Sequence, residues 1–143
     1  MAVTKVADIL NGREVVTLGP DASVAEACTL LDRHNIGALG VVAEGALLGI
    51  LSERDVIRRC IAPGRLPAET LVRSVMTADP ATIAPADPVL EALDVMYGFG
   101  FRHLPVVDEA GRLVAMLSMR DIPKEYRLAA ERSVPDVAEI RPC

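Results

Sequence analysis

The chain has 143 residues, 51% of them apolar but only 3% aromatic, and carries a formal net charge of −5. That length suits one domain or two small ones sharing a core, filled by Leu, Val, Ile and Ala because there is no Trp and only two Tyr and two Phe. The acidic balance, with no basic cluster interleaved with aromatics, argues against nucleic acid as the main partner, and no apolar run approaches the ~20 residues that span a bilayer. The first residues lack a basic segment followed by an apolar run, so a cytoplasmic protein without membrane insertion is expected. Cys28, Cys60 and Cys143 are odd in number and match no zinc-site spacing. Cys28 falls on an apolar helical face and reads as a small core residue. Nothing near Cys143 would activate its thiol.

In chain order, Thr4 is placed to cap a short helix whose apolar positions are Val6, Ile9 and Leu10. A strand is expected at Val15-Val16-Thr17, followed by a proline turn. The next helix opens on Ser23-x-x-Glu26, a capping-box spacing, and buries Val24, Ala27, Cys28 and Leu31 at i, i+3, i+4 and i+7. His34, near its end, reads as a surface or C-cap side chain. Residues 39–42 and 47–51 form a hairpin turning at Ala43-Glu44-Gly45, and Ser52-Glu53-Arg54-Asp55 closes the unit. The segment 61–67, with two prolines and a glycine, is a linker at which the first unit stops.

The same elements then return. Thr70 is placed to cap a short helix with Val72, Val75 and Met76 inward, and a strand follows at Ala81-Thr82-Ile83. Asp87 before Pro88 reads as a cap with proline at the first helical position, and Val89, Ala92, Leu93 and Met96 form the buried stripe. A second hairpin pairs 104–107 with 113–117 around Asp108-Glu109-Ala110-Gly111, and Ser118-Met119-Arg120-Asp121 ends the copy. Residues 124–133 form a last helix, and the tail from Val134 to Cys143 is expected to be loose. Both strands of each hairpin are apolar, which predicts sheets covered on both faces.

The register between the copies is 65 residues up to Glu44 and Glu109 and 66 afterwards, because the second hairpin turn is one residue longer. The predicted fold is therefore α+β: two pseudo-symmetric βαββα repeats packed sheet to sheet as one compact module. The division expected is a first repeat at 1–62 including the N-terminal helix, a linker at 63–69, a second repeat at 70–126, and a helix end with tail at 127–143. Clefts at such a join are where small ligands bind.

Each closing Ser-x-x-Asp has two readings. As a helix cap, the serine bonds the first exposed N–H groups while the aspartate answers the helix dipole. As a binding element, an acceptor-only carboxylate at a helix start takes hydrogen bonds from both hydroxyls of a ribose. Arg102 is either a solvated charge or a planar fork for phosphate, and His103 either a satisfied, partly buried imidazole or a ligand contact. The first copy has Gly37 and Ala38 at those two positions, so the two sites are not equivalent. Arg54 and Arg120 recur in register beside the aspartates, where they pair with carboxylates or help hold phosphate. The run Arg54, Arg58, Arg59 reads as a solvated helical face.

Taken in order, these elements resemble a tandem pair of CBS (cystathionine β-synthase-type) domains, a Bateman module, over residues 3–126. The resemblance rests on Gly49 to Asp55 and Ala115 to Asp121, which follow a Gly-hydrophobic-x-Ser/Thr-x-x-Asp ending with alanine for glycine in the second copy. It also rests on the openings Thr17-Leu18-Gly19-Pro20 and Thr82-Ile83-Ala84-Pro85, and on Leu104-Pro105-Val106-Val107, where the first copy has Gly40 in place of proline. The resemblance implies a non-catalytic regulatory module whose ligand is an adenosine compound of the AMP, ADP or ATP class. Ribose binding is implied for Asp55 and Asp121, with Ser52 and Ser118 near the phosphates. The adenine is implied to lie among Val16, Thr17, Ala38 and Leu39, or among Ala81, Thr82, His103, Leu104 and Pro105. No cofactor is implied beyond the nucleotide, with or without magnesium, and the expected assembly is a homodimer that signals to a protein effector in trans. The alternatives are a binder of S-adenosylmethionine or a dinucleotide, and a structural dimerisation module with no physiological ligand. An enzyme is not expected, since no nucleophile elbow, P-loop, zinc-protease motif or poised Cys/His pair is present.

Overall fold

Two sets of buried aliphatic side chains organise the computed structural model, which describes residues 5–10, 12 and 14–133. It has an α+β architecture with two compact units. The first unit comprises Glu14–Pro80 with Gly111–Leu113, and the second comprises Ala81–Ala110 with the described residues before Glu14 and from Val114 onward. Compact unit and sequence repeat are thus different partitions of the chain. Thr4 and the tail from Val134 to Cys143 lie outside the described residues.

In the first unit, β1 (Thr17–Leu18) runs parallel to β2 (Ala38–Ala43), which pairs antiparallel with β3 (Ala46–Ser52), and β3 pairs with β4 (Thr77–Ala78). The hairpin turns through Glu44 and Gly45, both at positive φ (52° and 82°), the conformation whose twist matches paired strands. Helix α2 (Val24–His34) starts where the Ser23 Oγ accepts the Glu26 N–H, and ends on Asn35 in the left-handed region. It buries Val24, Ala27 and Leu31 against Leu39, Val41 and Leu51, with Cys28 half-buried beside them. Burial pushes the Cys28 thiol up, with Cys60 nearby adding to the shift, so this thiol is held in its unreactive form.

The chain leaves β3 through α3 (Glu53–Val56) and a π-helical turn, Ile57–Ile61, then 3₁₀ turns at Pro67–Glu69 and Val72–Ser74. Here the structure differs from the expectation that the first unit stops at the linker. The Val24 N–H donates to the Thr70 carbonyl and the Val72 N–H to the Ala22 carbonyl, each at 2.8 Å, and Val72 and Val75 complete the first core. Thr70 is not a cap: its hydroxyl, nearly buried, donates to the Leu66 carbonyl.

In the second unit, α1 (Val6–Leu10) lies against the second repeat, not the first. The Val6 N–H donates to the Asp87 carbonyl and the Ala7 N–H to the Pro85 carbonyl, while Val6 and Leu10 join the core of α4 (Val89–Phe99). All four predicted α4 positions, Val89, Ala92, Leu93 and Met96, are buried. Asp87 does not cap α4. Pro88 is the N-cap residue and its hydrocarbon ring has no acceptor to offer, while Asp87 turns back to accept the Ala84 N–H at 2.8 Å. Strands β5 (His103–Val107) and β6 (Leu113–Ser118) form the hairpin, a 3₁₀ turn follows at Met119–Asp121, and α5 spans Lys124–Ser133. The strand expected at Ala81-Thr82-Ile83 is reduced to a parallel bridge between Ile83 and Val106. Its counterpart in the first unit uses the Gly40 N–H, which bonds the Val16 carbonyl, and Pro105 has no N–H to offer. Hairpin burial is also less even than predicted, complete over the first four residues of β2 but patchy along β3 and β6.

Candidate ligand-binding site

Strand register gathers the candidate residues of the first unit at one sheet end. Ala38 pairs with Ser52 and Leu39 with Leu51, Thr17 lies opposite Gly40, and the Glu53 N–H donates to the Gly37 carbonyl at 3.0 Å. Ser52 and Asp55 form a reciprocal capping box: the Asp55 N–H donates to Ser52 Oγ and the Ser52 N–H to Asp55 Oδ2, each at 3.1 Å. The cap reading of Ser-x-x-Asp therefore holds here.

Two residues that the sequence reading did not connect to Asp55 also reach it. The Thr77 hydroxyl lies 3.3 Å from both carboxylate oxygens, and Arg59 Nε is 3.8 Å from Oδ1. Arg59 also donates through Nη1 to the Met76 carbonyl at 2.8 Å, so it fastens the approach to β4 and is more than a solvated charge. The i, i+4 spacing of Asp55 and Arg59 was a legible signal; the threonine, 22 residues downstream, was not. Asp55 is only 8% exposed, and its carboxylate is tied into the fold. Arg54 is half-buried and makes no ion pair among the described residues.

The second unit repeats this geometry in a more open form. The Met119 N–H donates to the Arg102 carbonyl at 2.9 Å, the counterpart of the Glu53–Gly37 bond, and so holds the Ser118–Asp121 turn against the start of β5. The Ser118 N–H donates to Asp121 Oδ2 at 2.8 Å and the Arg120 N–H to Ser118 Oγ at 3.3 Å. Asp121 and His103 are half-buried, whereas Arg102 and Arg120 are exposed. Arg102 has no ion pair among the described residues. Leu104 and Pro105 are buried, and Ala81 and Thr82 lead into the Ile83–Val106 bridge beside them.

A concavity of about 490 Å³ opens at the other end of these strands, lined by Thr82, Ile83, Ala84, Pro85, Ala86, Asp87, Val107, Asp108 and Glu109. Thr82 is its one member among the predicted site residues, so this space is not where the Ser118–Asp121 turn acts. Among the described residues no group of three or more His, Cys, Asp or Glu is arranged to hold a metal ion, and no helix is long and apolar enough to cross a membrane.

Two copies of one strand–turn–carboxylate geometry, in register with the repeat, are the structural counterpart of the duplicated motif. A family profile described as CBS domain matches residues 6–62 and 72–127. The chain belongs to the CBS domain family. Among curated relatives, the CBS domain-containing protein YhcV of Bacillus subtilis is 34% identical over 109 residues, covering 76% of this chain and 76% of YhcV. Among solved structures, a CBS domain protein from Pyrobaculum aerophilum complexed with AMP superposes with a TM-score of 0.80 at 26% identity, covering 90% of this chain and 99% of that one. The CBS domain pair of protein MJ0100, in complex with 5′-methylthioadenosine and S-adenosylmethionine, gives a TM-score of 0.75 at 29% identity over 82% of this chain and 95% of that one. The chain spans between 22% and 72% of the length of the first curated relatives it matches.

Proposed function

We propose that this CBS pair is a non-catalytic regulatory module that binds an adenosine ligand of the AMP, ADP or ATP class, chiefly through its second repeat. The observation that carries this reading is the Met119–Arg102 backbone bond, which brings a half-buried carboxylate to the end of β5 and β6 where Arg102 is exposed and has no ion pair among the described residues. A carboxylate accepts hydrogen bonds from both ribose hydroxyls, and the planar guanidinium fork suits phosphate oxygens. Asp121 is thus the ribose ligand, Ser118 and Arg120 stand by the phosphates with Arg102, and Ala81, Thr82, His103, Leu104 and Pro105 border the base. The AMP complex of the Pyrobaculum relative supports the ligand class. The corresponding first-repeat set, Val16, Thr17, Ala38, Leu39, Ser52, Arg54 and Asp55, forms a weaker site, because Gly37 and Ala38 stand where Arg102 and His103 do and Asp55 already serves the fold.

Ligand binding shifts the module between arrangements only as far as its affinities for them differ. The module acts as a cytoplasmic homodimer and reports to a protein partner in trans. Magnesium finds no support and is not part of the proposal.

Calorimetry tests the site. Arg102→Ala is expected to weaken AMP and ATP about tenfold or more, since a charge-assisted bond contributes roughly 1.5–3 kcal/mol, while adenosine changes little. Equal losses for all three would remove Arg102 from the phosphate position. The 5′-methylthioadenosine and S-adenosylmethionine bound by MJ0100 make those two ligands the second class to measure. A ligand at about 100 times its dissociation constant adds roughly 2.7 kcal/mol to stability. No thermal shift with any of these compounds would leave a structural dimerisation module. Native mass spectrometry reads subunit count and co-purified ligand together.

A further inference from the structure

Three of the chain's four aromatic side chains fall within five residues, Tyr97, Phe99 and Phe101, and Arg102 follows at once. Phe99 and Phe101 are stacked, with ring centroids 5.6 Å apart and planes 14° from parallel. Phe101 is half-buried, but Phe99 is 70% exposed, the most exposed large apolar residue among those described. A single exposed apolar side chain is ordinary. A pre-stacked pair is not, because the inner ring fixes the outer one and leaves one flat face turned to water.

The surroundings suit a small planar ligand better than a protein surface. Gly100, at φ 73°, ends α4, and nothing lies within 4 Å of where a Cβ on Gly98 would stand, so the approach to this turn is open. Gly98 and Gly100 flank Phe99 directly, Tyr97 and Phe101 are half-buried, and Asp94 and Arg102 are exposed. A stable protein interface needs about 800 Å² from each partner. One ring bordered by glycines is far below that. The same Arg102 whose carbonyl accepts from Met119 links this pair in the chain to the Ser118–Asp121 turn, and its exposed side chain carries a positive charge one residue after Phe101. An exposed aromatic ring with a cation three residues further along the chain is complementary to a base joined to a phosphate.

We infer that the Phe99–Phe101 pair is a base-stacking platform of the second-repeat site, with Phe99 packing face to face on the nucleobase of a phosphate-bearing ligand. This rests on the reading above that the site takes a nucleotide, and it adds a contact that the repeat motif does not contain, since the first copy has His34 and Ile36 at the corresponding positions.

The probes are AMP and ribose 5-phosphate, which share sugar and phosphate and differ in the base. Calorimetry on the full chain should show Phe99→Ala weakening AMP about fivefold or more while ribose 5-phosphate stays within twofold, with Phe99→Tyr restoring the wild-type value. Because the chain has no Trp, Phe99→Trp introduces a single tryptophan at the platform, which can be excited selectively over the two tyrosines. Its emission should be quenched saturably by AMP and left unchanged by ribose 5-phosphate. If wild type binds AMP and Phe99→Ala binds it equally well, the platform is wrong and the nucleotide site stands. If wild type binds no adenine nucleotide, both fall. A Phe99→Trp signal that follows protein concentration and ignores AMP would also overturn the platform, and would assign the ring to a contact with a second copy of the chain.

Discussion

Asp55 and Asp121 occupy the same place in the repeat, each in a capping box, and differ in burial. Asp55 accepts the Ser52 N–H, stands 3.3 Å from the Thr77 hydroxyl and 3.8 Å from Arg59, and is nearly buried. Its carboxylate joins β3 to the start of β4, so its first duty is structural. Asp55→Asn removes charge from this cluster and should cost about 1–3 kcal/mol in urea unfolding. Asp121→Asn, at a more exposed turn, should cost less stability but lower AMP affinity. Equal destabilisation by the two changes would refute this division of labour. The sequence shows both residues as Ser-x-x-Asp and cannot separate them, because the distinction depends on Thr77, which arrives from beyond the linker.

At the scale of elements, the departures from a perfect repeat have backbone causes. A Cβ on Gly49 would sit 2.5 Å from the Thr77 carbonyl oxygen and 3.0 Å from Met76 Sδ, so β4 approaches β3 only because residue 49 is glycine. Gly49→Ala is therefore expected to lose on the order of 1–3 kcal/mol, read as a lower urea midpoint. An unchanged midpoint would mean that β4 is dispensable. Ala115 holds the corresponding place in the second copy, where β6 is paired with β5 among the described residues. Gly40, the other departure, leaves room that the Leu113 side chain fills in the first unit, while Pro105 in its place strips the second strand pair of one bond. The helical stripes, both hairpins and the Ser23 cap were legible because they are local. The caps assigned to Thr70 and Asp87 were not, since each side chain found a carbonyl or N–H already placed by the turn around it.

At the scale of the whole molecule, each compact unit is completed by the segment that opens the other repeat. Helix α1 buries Val6 and Leu10 in the second unit, and the stretch from Thr70 to Ala78 closes the first. Deleting residues 1–10 should therefore leave β2 and β3 of the first unit protected while α4 exchanges its amide protons faster. The loss is on the order of 3–6 kcal/mol for two buried aliphatic side chains. Faster exchange in β2 and β3 with α4 unchanged would contradict this assignment.

By itself the sequence determined the duplication, the α+β class, the buried stripe of each main helix and the place of each Ser-x-x-Asp, because periodicity and short-range capping are written into neighbouring residues. Only the tertiary structure decided which flanking segment closes which unit, that Asp55 meets Thr77, and that Phe99 stacks on Phe101 while staying largely exposed. The first two outcomes depend on chain segments meeting across long separations, where the choice is made by shape, burial and the pairing of polar groups, and the third on how the backbone leaves α4 at Gly100.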